Sequence, residues 1–435
     1  MKSLASYLLV VTLALLVVFQ ARKWDAHNVL VWDMGGYYQY LPSYFIYDDV
    51  GDGSYTAAVR AQYRPDLNSR YGLVPAPNGQ QVMKYPPGMA LFYAPAFFVA
   101  HTFSLLRGTP ADGYAPIYQK MVMLLCLGYA MLGLWLLRAV LRRFFEDTTG
   151  ALTILAVGLA TNFFCYATYE SPMSHGTLFL LNATLLLLTI RWLATFRQQD
   201  AVLLGLTLGL LGLVRNTELW MGLVPALWGL TSGAAVRERV QQLWQHRSQV
   251  VLVGALAVAV LAVQPLFWHS VGGAWVIDSY PGEKFDLRHS HLLEGFFSMR
   301  KGWLVYTPVM ALALLGVFML RRQVRAALPV LVLLLPLVLY VTWSWWDWGY
   351  GGSFSQRPLI SLYPLLALPL ASVFDRCRHS YVSLYGIGLV LLCCIVLNLL
   401  QTWQYHLTIL HCCDTTWEMY KAHFFWLEWP PAPPK

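Results

Sequence analysis

The chain has 435 residues, 57% of them hydrophobic and only 12% charged, and its mean hydropathy is +0.50. A soluble domain carries about 25% charged residues, so this composition excludes an ordinary soluble globular protein. The net charge of +8 does not point to nucleic acid, because most basic residues sit in short loops between apolar runs, where they set topology.

The chain opens with "MKSLASYLLVVTLALLVVFQARKW". A charged start and an apolar core resemble a signal peptide, but there is no convincing small-x-small cleavage site, so the segment is expected to stay as helix 1. Further apolar runs occupy 86–106, 116–141, 150–166, 176–194, 201–214, 219–233, 250–268, 304–320, 327–343, 358–374 and 381–400. In lipid every backbone amide must bond internally, so such runs are helices.

If all twelve runs crossed, several basic loops would fall on the wrong side. One change repairs this. The run 86–106, "PPGMALFYAPAFFVAHTFSLL", begins with Pro-Pro and contains Pro95 and His101, and it reads better as a helix lying in or re-entering the interface. Arg142/Arg143, Arg191/Arg197, Arg237/Arg239/Arg247, Arg321/Arg322/Arg325 and Arg376/Arg378 then all lie inside, as the positive-inside rule requires. The expected architecture is all-α and polytopic. It has about eleven transmembrane helices, juxtamembrane helices in a first external loop at 21–115, the N-terminus inside, a membrane domain over 1–401 and a short external tail over 402–435.

The polar, aromatic-rich stretches then open on one face. The stretch 31–49, "VWDMGGYYQYLPSYFIYDD", holds six tyrosines and phenylalanines, a Gly-Gly turn, Asp33, and the pair Asp48/Asp49. A carboxylate close to lipid is costly. Partial desolvation is expected to raise the pKa of Asp33 and make it a general base; a turn or helix-cap aspartate is the plainer alternative. Lys84 precedes the Pro-Pro element of "KYPPG" and suits a phosphate, or simply snorkels.

"YESPMSHG" places Glu170 and His175 five residues apart, a sugar- or phosphate-orienting pair or structural residues. They do not make a metal site, and no metal or other cofactor is expected. In "VRNTE", Arg215 needs a partner near the bilayer, either Glu218 or a lipid-linked phosphate. "FFSMRKGWLVYTP" puts Arg300 and Lys301 immediately before a span, against the topological bias. "WSWWDWGYGGSFSQR" combines four tryptophans, Asp347, a Gly-Gly, Gln356 and Arg357. An aromatic belt accounts for the tryptophans, while Arg357 can fork onto a phosphate. The seven cysteines have no metal-ligand spacing and read as packed thiols, with a weaker reactive option for the adjacent Cys412 and Cys413.

These elements together resemble the polytopic GT-C glycosyltransferases, the superfamily of protein O-mannosyltransferases and bacterial aminoarabinose transferases. The matching elements are Tyr37-Tyr38-Gln39-Tyr40-Leu41-Pro42, Tyr85–Gly88, Met173–His175, Ser298–Pro308 and Gly351–Arg357, and the resemblance covers roughly residues 1–375. It implies a GT-C-like fold, a polyprenyl-phosphate-linked sugar donor, inversion at the anomeric carbon, and Asp33 as the base. Lys84, Arg215, Arg300 and Arg357 are the expected donor-phosphate ligands. Tyr37, Tyr38, Tyr40, Tyr85, Glu170, His175, Trp346, Asp347 and Gln356 are the expected substrate-binding residues. One departure is that Met34 follows Asp33 where many members carry an acidic pair. The acceptor could be lipid, glycan or protein; membrane lipids are expected partners and nucleic acid is not. The implied location is the bacterial inner membrane, with an extracytoplasmic site. A transporter or flippase of lipid-linked glycan intermediates is the alternative, although the internal repeats typical of that class are not visible.

Overall fold

The computed structural model describes residues 1–64, 66–68 and 70–429. The chain is built almost wholly from helices. Helix α1 (Lys2–Ala21) leads into short helices α2 (Trp32–Tyr38), α3 (Tyr40–Phe45) and α4 (Tyr55–Tyr63). An antiparallel hairpin of β1 (Leu73–Pro75) and β2 (Gln81–Met83) follows, which the residue pattern had not signalled. Then come α5 (Gly88–Arg107), α6 (Pro116–Leu141), α7 (Asp147–Leu159), α8 (Phe163–Ala167), α9 (Ser174–Thr195) and α10 (Gln198–Val214).

Among the described residues, eight helical stretches are long and apolar enough to cross a membrane: α1, α5, α6, α9, Arg247–Gly272, Arg325–Trp343, Arg357–Cys377 and Tyr381–His406. A multi-pass helical chain is therefore observed, but the expected eleven crossings are not. The runs 150–166 and 201–214 contain shorter apolar helices, α7 and α10. The run 219–233 is a 3-10 segment (Asn216–Gly222) followed by five helical residues, Leu223–Leu227. The run 304–320 is interrupted at Thr307. The ring of Pro308 pushes the preceding residue out of the α region and supplies no N–H, and Thr307 accordingly has φ −139°. Gly35 and Gly36, expected in a turn, lie inside α2.

The helix α5 has the length to cross, yet both its flanks are tied to the segment that follows α1. Just before it, the Tyr85 hydroxyl reaches Asp33. Just after it, the Gly113 carbonyl accepts from Tyr38, and the Asp112 carbonyl from Tyr47. If α5 lies along the surface, cysteines placed at Asp52 and Pro110 are expected to react with an impermeant thiol reagent from the same side. Reaction from opposite sides would make α5 a crossing helix.

The two ends of the bundle differ. At one end, Ser3 bridges Arg138 and Asp147, Arg378 pairs with Glu146 and Asp375, and Gln323 reaches Asp375. The backbone of Gly229 bonds Ala326. The Trp192 indole donates to Gln249 at 2.8 Å, so the five basic loops gather at this end. The segments carrying Asp33, Lys84, Arg215, Arg300 and Arg357 gather at the other. The tail returns there too: the helix Tyr381–His406 outlasts the expected boundary at 401, and its Gln404 side chain donates to the carbonyls of His423, Phe424 and Trp426.

Candidate functional site

Asp33 stands in the first turn of α2, and the residue before it, Trp32, has φ 49°. That left-handed region is rare for a bulky side chain and costs roughly 1–2 kcal/mol. Ser355, two residues before Arg357, has φ 54°. Both partners are therefore presented from strained backbone, as is common at functional sites. They meet across 324 positions of sequence: Arg357 Nη2 donates to Asp33 Oδ2 at 2.9 Å. Asp33 Oδ1 accepts from the hydroxyls of Tyr71 (2.8 Å) and Tyr85 (2.7 Å), which lie 3.0 Å apart.

This geometry corrects the expected pKa. Burial by itself raises it, but the Arg357 charge and the phenols of Tyr85 and Tyr71 outweigh burial and hold the carboxyl below the ordinary aspartate range. Asp33 is an ionised acceptor at neutral pH, not a carboxyl poised near it. Asp49, of the pair that closes the same stretch, is occupied within its own loop, accepting from the backbone of Asp52, Gly53 and Tyr55 and from the Ser54 hydroxyl.

Glycine allows the Tyr85 contact. A Cβ on Gly36 would lie 2.4 Å from the Tyr85 ring, so only glycine lets that ring lie against α2. At the start of α5, a Cβ on Gly88 would lie 2.4 Å from the Val214 nitrogen, which brings the α5 terminus against the end of α10, beside Arg215.

The expected phosphate ligands fare differently. Lys84 is paired with Glu283, and its ammonium sits 4.8 Å from the Tyr280 ring centre and 6.0 Å from that of Tyr85. Arg300 donates to the Cys413 carbonyl at 2.7 Å, lies 3.7 Å from Asp347 and faces Trp348. Arg215 forms no ion pair among the described residues; its guanidinium covers the Tyr350 ring at 5.4 Å. The nearby Glu218 is instead buried and accepts from Asn182 at 3.1 Å. Arg215, Glu218, Tyr350, Pro358 and Ser361 line a pocket of about 380 Å³, the solvent at its mouth included.

Of the expected substrate residues, Tyr85 touches Asp33, and Tyr37 packs on Tyr85 with ring centres 4.7 Å apart. His175 is buried edge-on to Tyr166 at 5.1 Å, its Nδ1 has no hydrogen-bond partner, and it feels the charges of Arg357 and Arg215. The other six have different partners or surroundings. Tyr38 donates to the Gly113 carbonyl and Tyr40 to the Tyr85 carbonyl, so their hydroxyls serve the fold. Glu170 pairs with Lys23 at 2.8 Å. Trp346 is 58% exposed. Asp347 caps the glycine turn through the Gly351 N–H. Gln356 is buried and donates to the Lys301 carbonyl.

Sequence reasoning did not select Tyr71, Glu283 or Tyr350 for the site, and of the pair Arg300 and Lys301 it carried forward only Arg300. Lys301 is buried against Ser353 and the Cys412 carbonyl, with no carboxylate partner among the described residues. Burial pushes its pKa down to about 7. Its position beside Arg300 was visible, but its inward orientation was not. Among the described residues, no group of three or more His, Cys, Asp or Glu side chains is arranged to hold a metal ion. No protein-family model matches the chain, and a comparison with curated proteins finds no match.

Proposed function

We propose that the chain is an inverting membrane glycosyltransferase of the GT-C type. It moves a sugar from a polyprenyl-phosphate donor to an acceptor hydroxyl at the extracytoplasmic face of a bacterial inner membrane. The observation that carries this reading is the Asp33–Arg357 pair, ringed by Tyr71 and Tyr85 at the end of the bundle that also gathers Lys84 and Arg215.

The chemistry needs a carboxylate and a cation side by side. The acceptor oxygen forms a bond to the anomeric carbon while its proton passes to Asp33. The bond from that carbon to the phosphate oxygen breaks, and the polyprenyl phosphate leaves with the electron pair. Fixed cations stabilise the charge that develops on it. Arg357 can fork onto the phosphate. As it turns to the donor, it withdraws the charge that depresses Asp33, and the carboxylate becomes a stronger base when the donor is in place. Arg215 has its charge free for the same phosphate, and Lys84 would have to share its charge with Glu283. Tyr37 and Tyr85 offer ring faces to the apolar side of a sugar.

Deleting the chain from its source cells and profiling lipid-linked sugars by mass spectrometry tests the reading. One polyprenyl-phosphate sugar is expected to accumulate, and restoring the wild-type chain should clear it while the Asp33→Asn variant should not. An unchanged lipid-linked pool would overturn the assignment.

A further inference from the structure

At the end of the bundle opposite Asp33 there is an open pocket of about 870 Å³, the solvent at its mouth included. Its walls include Leu230, Thr231, Arg321, Arg325, Leu328 and Val332. The Gly229 N–H donates to the Ala326 carbonyl at 2.8 Å and holds the two walls together. The ion pairs at this end include Arg191–Asp200, Arg378–Glu146 and Arg378–Asp375. Arg321 and Arg325 take part in no ion pair among the described residues.

A third arginine adjoins the pocket. Arg239 Nη2 lies 3.5 Å from where a Cβ on Gly229 would stand, one residue from Leu230. Its Nε and Nη1 are buried and have no hydrogen-bond partner, while the neighbouring Glu238 carboxylate accepts from Gln242. Unpartnered buried guanidinium nitrogens are costly, and two arginines in the wall with a third beside Gly229 suit an anion with several acceptor oxygens.

The apolar part of the wall narrows the chemistry. Leu230, Leu328, Pro329 and Val332 form it, and Val332 is 61% exposed; the next residue along the helix, Leu333, is 52% exposed. Charge and apolar surface thus meet at one helix end, the arrangement that takes an amphiphile with an anionic head. We propose that this pocket binds the phosphate headgroup of an anionic glycerophospholipid. The phosphate bridges Arg321 and Arg325, and the acyl chains run along Val332 and Leu333. The site is remote from Asp33 and does not depend on the proposed transfer reaction.

The test is native mass spectrometry of the full chain in mild detergent, with phosphatidylglycerol or phosphatidylcholine of matched acyl chains, alongside thermal unfolding with each lipid and with inorganic phosphate. Phosphatidylglycerol is expected to be retained in preference and to raise the melting temperature. The double variant Arg321→Ala/Arg325→Ala should lose about thirtyfold in its retention, with phosphatidylcholine little affected. Val332→Trp keeps both charges but obstructs the apolar wall, so it should weaken retention of phosphatidylglycerol even if the double variant fails to fold. Equal retention of the two lipids by the wild type, or undiminished retention in both variants, would overturn the proposal. Inorganic phosphate stabilising the chain as much as phosphatidylglycerol does would also overturn it, in favour of a free-anion site.

Discussion

Asp33→Asn is expected to lower turnover about a thousandfold, within the range that a positioned base contributes, while donor binding is retained or tightened. The substitution preserves shape, and an amide oxygen can still accept from Tyr71 and Tyr85. What disappears is the ability to take a proton and the negative charge that occupies Arg357. An unoccupied Arg357 is free for the donor phosphate, so affinity should not fall with rate. Single-turnover product formation and donor binding, measured on the same preparation, separate the two effects. A variant with normal turnover would exclude Asp33 as the base. One that loses turnover and donor binding together would instead make Asp33 a structural partner of Arg357.

Arg357→Gln is expected to weaken donor binding by about 10- to 100-fold, the loss of charge-assisted hydrogen bonds to one phosphate. It should also move the acid limb of the pH–rate profile upward. The sign follows from the observed pair. In the wild type, Arg357 and the two phenols hold the Asp33 carboxyl below its ordinary range, so the carboxylate persists as pH falls. Without the guanidinium, burial is opposed only by Tyr85 and Tyr71, and the carboxyl protonates at a higher pH. Activity should therefore be lost earlier on acidification. Arg357→Lys keeps the charge but not the planar fork, so it should hold the acid limb nearer its wild-type position while recovering only part of the donor affinity. An acid limb unmoved in Arg357→Gln would separate Asp33 from the titration that controls the rate.

The two substitutions also probe the coupling between donor and base. If the donor phosphate draws Arg357 away from Asp33, the acid limb of the wild type should lie higher with donor bound than in the free enzyme. In Arg357→Gln that difference should disappear.

The membrane character of the chain was legible in the apolar runs, and so was the gathering of the basic loops at one end. The charge alternation along the chain has few other solutions when lipid forbids unpaired backbone. The number of long helices was not legible. Hydropathy counts apolar residues, whereas continuity depends on local backbone: Pro308 breaks one apolar run at Thr307, and the longest α-helical stretch within the run 219–233 is the five residues Leu223–Leu227. Apolar length also made α5 look like a crossing. Its proline signals pointed instead to a surface position; α5 is long enough to cross, and both its flanks contact the segment after α1.

At the site, residue type by itself marked the aspartate near the first helix as costly close to lipid and the arginine after the glycine turn as able to fork onto a phosphate. Tertiary structure decided that each is the other's partner, because only folding brings positions 33 and 357 within 2.9 Å. It also decided which tyrosines reach Asp33. Tyr38, Tyr40 and Tyr85 are equivalent in composition, yet the first two spend their hydroxyls on carbonyls of the fold, and the third, with Tyr71, spends it on Asp33. A sequence states which groups can hydrogen-bond, but direction and distance decide which do, and these depend on contacts between segments far apart in the chain.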